Sequence, residues 1–149
     1  MIQIVKDTRP WFFLQTTHST YGMRVMETGH LEHLYYGERI TVDTQDSAFC
    51  APLVIQRGFA PGNTCTYDKE HPQISMEDVC LEVGTLGRGD IREPFLEVKF
   101  TDGSVTSDFT FDSYEVITLK EREQCLQASG LPHSYSEAET DSAECLQIV

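Results

Sequence analysis

Cations are what this chain has least of. Eleven Lys and Arg stand against 24 Asp and Glu, a formal charge of −13. Recognition of a phosphate backbone needs clustered Lys and Arg, and the few here are scattered, so no nucleic-acid partner is expected. The same charge disfavours an anionic bilayer, and no apolar run approaches the roughly 18 residues of a membrane span. A membrane partner is therefore not expected either. The five cysteines, Cys50, Cys65, Cys80, Cys125 and Cys145, are odd in number, far apart and without a CxxC pair. That describes neither a disulfide framework nor a zinc site, and reduced thiols in a cytoplasm are the simplest account. The opening residues Met1 to Lys6 lack the charged start and long apolar stretch of a signal peptide, which agrees with a cytoplasmic location. Helical periodicity is nearly missing too. Only Glu121 to Ala128 has helix-forming composition, and it is short.

What the chain does have is period two. Its 149 residues suit one domain, 1–149, with a useful core. Tyr21, Met23 and Val25 alternate with Gly22, Arg24 and Met26, and after Thr28-Gly29-His30 the run Leu31 to Tyr36 resumes in β-favouring residues. Two such runs about a short Gly-containing break predict a hairpin. The sharpest local signal is further on. Leu96, Val98 and Phe100 share one face, Thr101-Asp102-Gly103-Ser104 follows, and Val105 to Phe111 carries Phe109 and Phe111 on one face. Asp-Gly supplies the positive φ that a tight turn needs, so a second hairpin is expected here. Val79 to Val83, Val116 to Lys120 and Glu144 to Val149 are further strand candidates. The stretch from Asp43 to Ser75 has little sustained period and reads as one long loop, with a short strand at Leu53 to Gln56. These features predict an all-β fold, an antiparallel β-sandwich.

Candidate chemistry is sparse. His30 and His33 lie three apart, which in a regular strand places them on opposite faces, a poor start for a shared metal. His18 and His71 sit near turns with no ligand spacing, and His133 follows a proline, so no metal is expected. Gly84, Gly87 and Gly89 precede Pro94 and a strand rather than a helix, which suits a structural turn better than a phosphate cradle. Arg92 and Glu93 can pair within that turn. The serines occupy ordinary turns with no nucleophile elbow. Among 24 acidic residues some pair will always stand at the roughly 5–9 Å of a glycosidase dyad, so no catalytic pair is singled out. The loop from Gln56 to Asp68 is the best remaining candidate. Its Arg57, Asn63 and Asp68 suit sugar hydroxyls, and Phe59 or Tyr67 suits a pyranose face. A packed surface loop or subunit contact explains it as well.

Four collinear stretches give a more specific pointer. Phe12-Phe13-Leu14-Gln15-Thr16 with Ser19-Thr20-Tyr21, then Leu31-Glu32-His33-Leu34-Tyr35-Tyr36-Gly37, then Gly87 to Pro94 leading to Val98 and Asp102-Gly103-Ser104, and finally Leu131-Pro132 with Tyr135, together resemble the start of family 36 glycoside hydrolases. The resemblance covers roughly residues 11 to 140 and is loosest over Asp43 to Met76. It implies the first half of a galactose-mutarotase-like β-supersandwich, preceding a (β/α)₈ barrel that carries two catalytic aspartates. The nucleophile's Lys-Trp-Asp context has no counterpart here, since Trp11 is followed by Phe12. On this resemblance the chain is the N-terminal domain of a retaining α-galactosidase acting on melibiose- and raffinose-type sugars, truncated before its sandwich is complete and inactive alone. No cofactor is implied. A homotetramer is, with scaffold and subunit contacts as this domain's role, and Arg57, Phe59 and Asn63 as residues approaching a neighbouring active site. Two rivals stand beside this reading. A free-standing carbohydrate-binding module would bind galactosides saturably. An unrelated sandwich enzyme of the epimerase kind would need a His and a Glu converging in a cleft.

Overall fold

The computed structural model describes residues 1–54, 66–87, 89–90, 93–118, 121–122 and 144–149. Its centre is an antiparallel sheet of four strands in sequential order: β1 (Ile2–Val5), β2 (Trp11–Gln15), β3 (Ser19–Val25) and β4 (Leu31–Glu38). Two dipeptide strands, β5 (Thr85–Leu86) and β6 (Gly89–Asp90), pair in parallel, and β7 (Tyr114–Thr118) pairs antiparallel with β8 (Glu144–Ile148).

Alternation along β2 sends side chains into two separate cores. Phe12 joins Met23 and Val25 on one face, where Phe111, Tyr114, Leu146 and Ile148 cover them. Phe13 joins Val5, Val42 and Cys50 on the other, beneath Phe49 and Leu53. The first face makes the sandwich, with the β7–β8 hairpin as its second layer. The second is closed by a 3-10 segment, Ser47–Leu53, whose start is capped by Asp46 Oδ1 accepting from the Ala48 amide at 2.8 Å. Burial there, with the Asp7 and Asp46 carboxylates adding to it, pushes the Cys50 thiol up to about 11. The thiol therefore stays protonated at neutral pH, as a small apolar core group.

The expected all-β sandwich is present, and so is the hairpin of β3 and β4. Gly29 turns it at φ +87°, with Thr110 Cβ only 3.2 Å from where a side chain would begin. A Cβ there meets both the backbone preference and a neighbour. The two C-terminal candidates are also strands, and they pair with each other from Tyr114↔Ile148 to Thr118↔Glu144. Beyond them Glu121 and Arg122 are helical. Thr118 and Glu121 form a reciprocal cap: the carboxylate accepts from the Thr118 amide and hydroxyl at 2.7 and 2.8 Å, and the hydroxyl accepts from the Glu121 amide at 3.3 Å. The rest of the expected helix, 123–128, lies outside the described residues.

Three expectations need correction. Leu53 and Val54 belong to the 3-10 segment and its cap, not to a strand. Pro52 supplies no amide and fixes φ, which favours the turn. Ile55 and Gln56 lie outside the described residues. Val79 to Val83 is not a strand either. It touches the sheet through one bridge, Glu32↔Leu81, flanked by the His33 amide to the Cys80 carbonyl at 2.7 Å and the Glu82 amide to the Leu31 carbonyl at 2.9 Å.

The second hairpin is the largest difference. Its turn forms: Gly103 has φ +89°, Asp102 Oδ1 accepts from the Ser104 amide at 2.9 Å, and the Phe100 amide donates to the Ser104 carbonyl at 2.9 Å. No ladder grows from that turn. Leu96 instead bridges Thr85 in parallel, and the Phe111 amide donates to the Gly29 carbonyl at 2.8 Å. A two-stranded ribbon is marginal unless one face is covered. Here Leu96, Phe100 and Phe109 remain exposed.

Candidate functional site

The β3–β4 pairing slips between Gly22 and Met23, so that Gly22 faces Tyr35 while Met23 faces His33 and Leu34 is the extra residue. Such a bulge changes the side-chain phase of the strand. Residues three apart, His33 and Tyr36, then face Met23 and Tyr21, which share one side of β3. Tyr21 lies between them, its ring 4.9 Å from His33 and 6.0 Å from Tyr36.

Glu82 completes this group from the segment that bridges β4. Its carboxylate accepts from the Tyr21 hydroxyl at 2.7 and 2.5 Å and stands 3.2 Å from His33 Nδ1. A carboxylate only accepts, so Nδ1 carries the proton in this contact. Burial first, then Glu82, pushes the Tyr21 phenol above its ordinary value. The phenol is a fixed donor at every physiological pH, not a proton shuttle. A histidine and a glutamate do converge here, but they bind one another instead of facing across a space that a sugar could enter. That geometry orders the sheet edge.

His30 takes a different place. It is 3% exposed, in the turn before β4, with Nδ1 2.9 Å from Thr28 Oγ1 and Nε2 2.7 Å from Asp108 Oδ1. Tyr67 stands edge-on to the imidazole at 5.1 Å and donates its hydroxyl to Asp108 Oδ2 at 3.0 Å. So Tyr67, offered by sequence as a stacking ring, is committed to an internal network. The network fastens three separate stretches together: the turn at 28–30, the segment through Asp108, and the stretch around Tyr67.

That stretch is folded on its own account by His71. The Asp68 carboxylate accepts from the His71 amide at 2.7 Å and stands 2.9 Å from its Nδ1. The His71 side chain is the leading reason that Asp68 lies below its ordinary value of 3.8, with the His71 and Glu70 amides adding to it. A depressed carboxyl contributes stability above its unfolded-state pKa and loses it as pH falls through the folded value. His71→Ala is expected to raise the Asp68 pKa toward 3.8 and to remove part of the acid-side fall in stability. Carbon-detected NMR titration of the Asp68 carboxyl reads the first effect. An unchanged midpoint would refute the assignment.

Arg57, Phe59 and Asn63 lie outside the described residues, as do His133 and Arg92. His18 sits in the turn before β3, where its amide donates to Thr16 Oγ1 at 3.2 Å and its carbonyl accepts from the Arg39 amide at 2.8 Å. Among the described residues no group of three or more His, Cys, Asp or Glu is placed to hold a metal ion. No helix is long and apolar enough to cross a membrane among them. Sequence reasoning missed the Tyr21–His33–Glu82 group, because a bulge leaves no mark in a period-two pattern. It also missed His30–Asp108, which joins positions 78 residues apart.

Comparison with known proteins gives these features a context. A family model described as the glycosyl hydrolase family 36 N-terminal domain matches residues 29–149. The bifunctional α-galactosidase/sucrose kinase AgaSK of Mediterraneibacter gnavus is 34% identical over 149 residues, covering all of this chain and 14% of that protein. The α-galactosidase AgaA of Geobacillus stearothermophilus is 28% identical over 138 residues, covering 93% of this chain and 17% of that protein. Among solved structures, the α-galactosidase from Lactobacillus brevis superposes with a TM-score of 0.64 at 30% identity, over 76% of this chain and 14% of that one. The chain thus spans only 14 to 17% of the length of the curated relatives described.

Proposed function

The chain belongs to the glycosyl hydrolase family 36 N-terminal domain family, and on that premise we propose that it serves as the non-catalytic first domain of a retaining α-galactosidase. The observation that carries this reading is the family match over residues 29–149, joined to relatives named as α-galactosidases at 34 and 28% identity. The parent protein hydrolyses terminal α-D-galactosyl residues of melibiose- and raffinose-type oligosaccharides, with both catalytic carboxylates supplied outside residues 1–149. The local chemistry agrees. The two best-placed histidines spend their hydrogen bonds on holding segments together, which is the work of a scaffold.

In the same reading the parent is a cytoplasmic homo-oligomer, a tetramer, in which this domain provides subunit contacts. The loop bearing Arg57, Phe59 and Asn63 reaches the rim of a neighbouring active site. The anchoring of the adjoining Thr66–Ile74 stretch through Tyr67, Asp108 and His30 supports a positioned rather than a free loop base.

The test has two arms. Purified residues 1–149 are expected to show no turnover of p-nitrophenyl α-galactoside, while the polypeptide encoded by the continuous reading frame hydrolyses it and releases α-galactose first. Turnover by the isolated chain that survives rigorous purification would sink the reading. So would a longer polypeptide without galactosidase activity.

A further inference from the structure

We infer that the cleft between β1, the end of β2 and the segment 39–42 is a binding site for one neutral polyhydroxylated ring, a monosaccharide in size and chemistry. The site is built from residues 1–149 alone, so it stands whether or not a longer polypeptide cleaves galactosides.

The cleft lies where the second core face runs out. Trp11 and Phe13 pack into that core, and Gln15, two residues further along β2, faces the same way. Gln3 pairs with Phe13 across the β1–β2 ladder and shares its side. Val42 packs against Phe13 and Val5 and brings the segment 39–42 over them. The face thus turns from apolar to polar at its end. Gln3, Gln15, Arg39, Ile40, Thr41 and Val42 line a cleft of about 280 Å³ there.

Two independent observations point to a ligand. The first is an acceptor without a donor. Gln15 is 7% exposed, and its Nε2 donates to the Ile40 carbonyl at 2.7 Å and to Thr20 Oγ1 at 3.1 Å. A carbonyl only accepts, which fixes the nitrogen on that side and leaves Oε1 for the cleft. Oε1 accepts no hydrogen bond among the described residues. Buried acceptors are rarely left so, and a hydroxyl donor would satisfy this one.

The second is a set of polar groups with spare capacity on the same cleft. The Arg39 guanidinium makes one weak bond, to the Thr16 carbonyl at 3.3 Å, and pairs with no carboxylate among the described residues. The Gln3 amide and the Thr41 hydroxyl have no partner among them either.

These groups select the class of occupant. Arg39 only donates and Gln15 Oε1 only accepts, so the ligand must accept and donate at neighbouring points, as adjacent hydroxyls on one ring do. An anion would suit Arg39 but set its charge against Oε1 and against a chain of −13. An apolar molecule would leave every polar group unmet. Ile40 and Val42 offer an aliphatic wall for the C–H face of the ring. The volume falls just under the roughly 300 Å³ at which drug-sized pockets begin, which suits a single ring and not an extended oligosaccharide.

Titration of ¹⁵N-labelled residues 1–149 with D-galactose through the millimolar range, followed by amide NMR, tests this. Saturable shifts are expected at the Gln15 side-chain amide and at the Gln3, Ile40 and Thr41 backbone amides. Arg39→Met, at an exposed position, should weaken binding about 10-fold, as loss of a hydrogen bond from a charged donor does, and leave the melting temperature unchanged. Thr41→Val gives a second, milder loss by removing only a hydroxyl. Absence of saturable shifts overturns the inference, as do shifts confined to other faces of the domain or binding that both variants leave intact. Saturation by sodium sulfate instead of galactose would make the cleft an anion site and overturn it as well.

Discussion

Phe12→Ala is expected to cost about 3–5 kcal/mol, the range for deleting a buried aromatic ring. Phe12 has no exposed surface and belongs to the core between the four-stranded sheet and the β7–β8 hairpin. Its ring meets Tyr114 edge-on at 5.1 Å and Phe111 at 6.2 Å. Those contacts make it a central link between the two layers. Against a typical domain stability of about 5–15 kcal/mol such a loss leaves the chain barely folded. Urea unfolding followed by circular dichroism measures it. A cost of about 1 kcal/mol or less would mean that the layers do not depend on this ring. Phe12→Leu should lose much less, because most of the volume remains.

Arg24→Ala is expected to destabilise by about 3 kcal/mol, at the lower end for breaking a buried pair because the arginine is partly hydrated. Glu32 is 4% exposed, and Arg24 Nε meets its Oε2 at 2.6 Å. The guanidinium also lies over the Trp11 ring, 5.2 Å from its centroid. The three residues thus bind β2, β3 and β4 side by side. Removing the cation leaves a carboxylate buried without its counter-charge and strips a stacking partner from Trp11. Arg24→Met with Glu32→Leu is expected to recover most of the loss, since a buried pair is often no more stabilising than apolar residues of similar volume. Thermal melts of the single and double variants decide this. A double variant no better than Arg24→Ala would show that stacking on Trp11, rather than the stranded charge, was the larger part.

The sequence made the architecture legible where one face of a strand meets the core and the other meets water. Tyr21 to Val25 and Leu31 to Tyr36 are of that kind, and the structure joins them as expected. Strands β1 and β2 drew no expectation, because Trp11, Phe12, Phe13 and Leu14 are apolar on both sides. Both faces of that strand are covered, so alternation disappears. The clearest pattern misled. Leu96 to Phe111 has both the alternation and the turn residues, but pairing needs a surface to pair over, and a local pattern does not report whether one is present. Conversely, the faint candidates Val116 to Lys120 and Glu144 to Val149 form a ladder, because Phe12 and its neighbours offer that surface.

The site was harder to read for a different reason. The resemblance of Leu31 to Gly37 and its companion stretches to family 36 was correct, and it carried more than any single residue. Individual roles did not follow. Tyr67 has a suitable ring for a sugar, but its hydroxyl is taken up by Asp108 and its ring packs against His30. Bonds between distant positions are fixed by packing, which no spacing rule reveals.

The extra residue at Leu34 works like a frame shift in the side-chain code. Before it, odd-numbered positions of β4 look toward the β7–β8 layer, as Leu31 and His33 do. After it, the even-numbered Tyr36 takes that side, opposite Tyr21. Substitutions tolerated upstream therefore carry no guide to those tolerated downstream. A polar residue is at home at 36, where Tyr36 is 74% exposed, for reasons unrelated to those that bury Leu34. Deleting that one residue would leave the composition almost untouched and let β4 run on without the slip, Tyr35 still opposite Gly22 and Tyr36 still opposite Tyr21, at the loss of the buried Leu34 side chain.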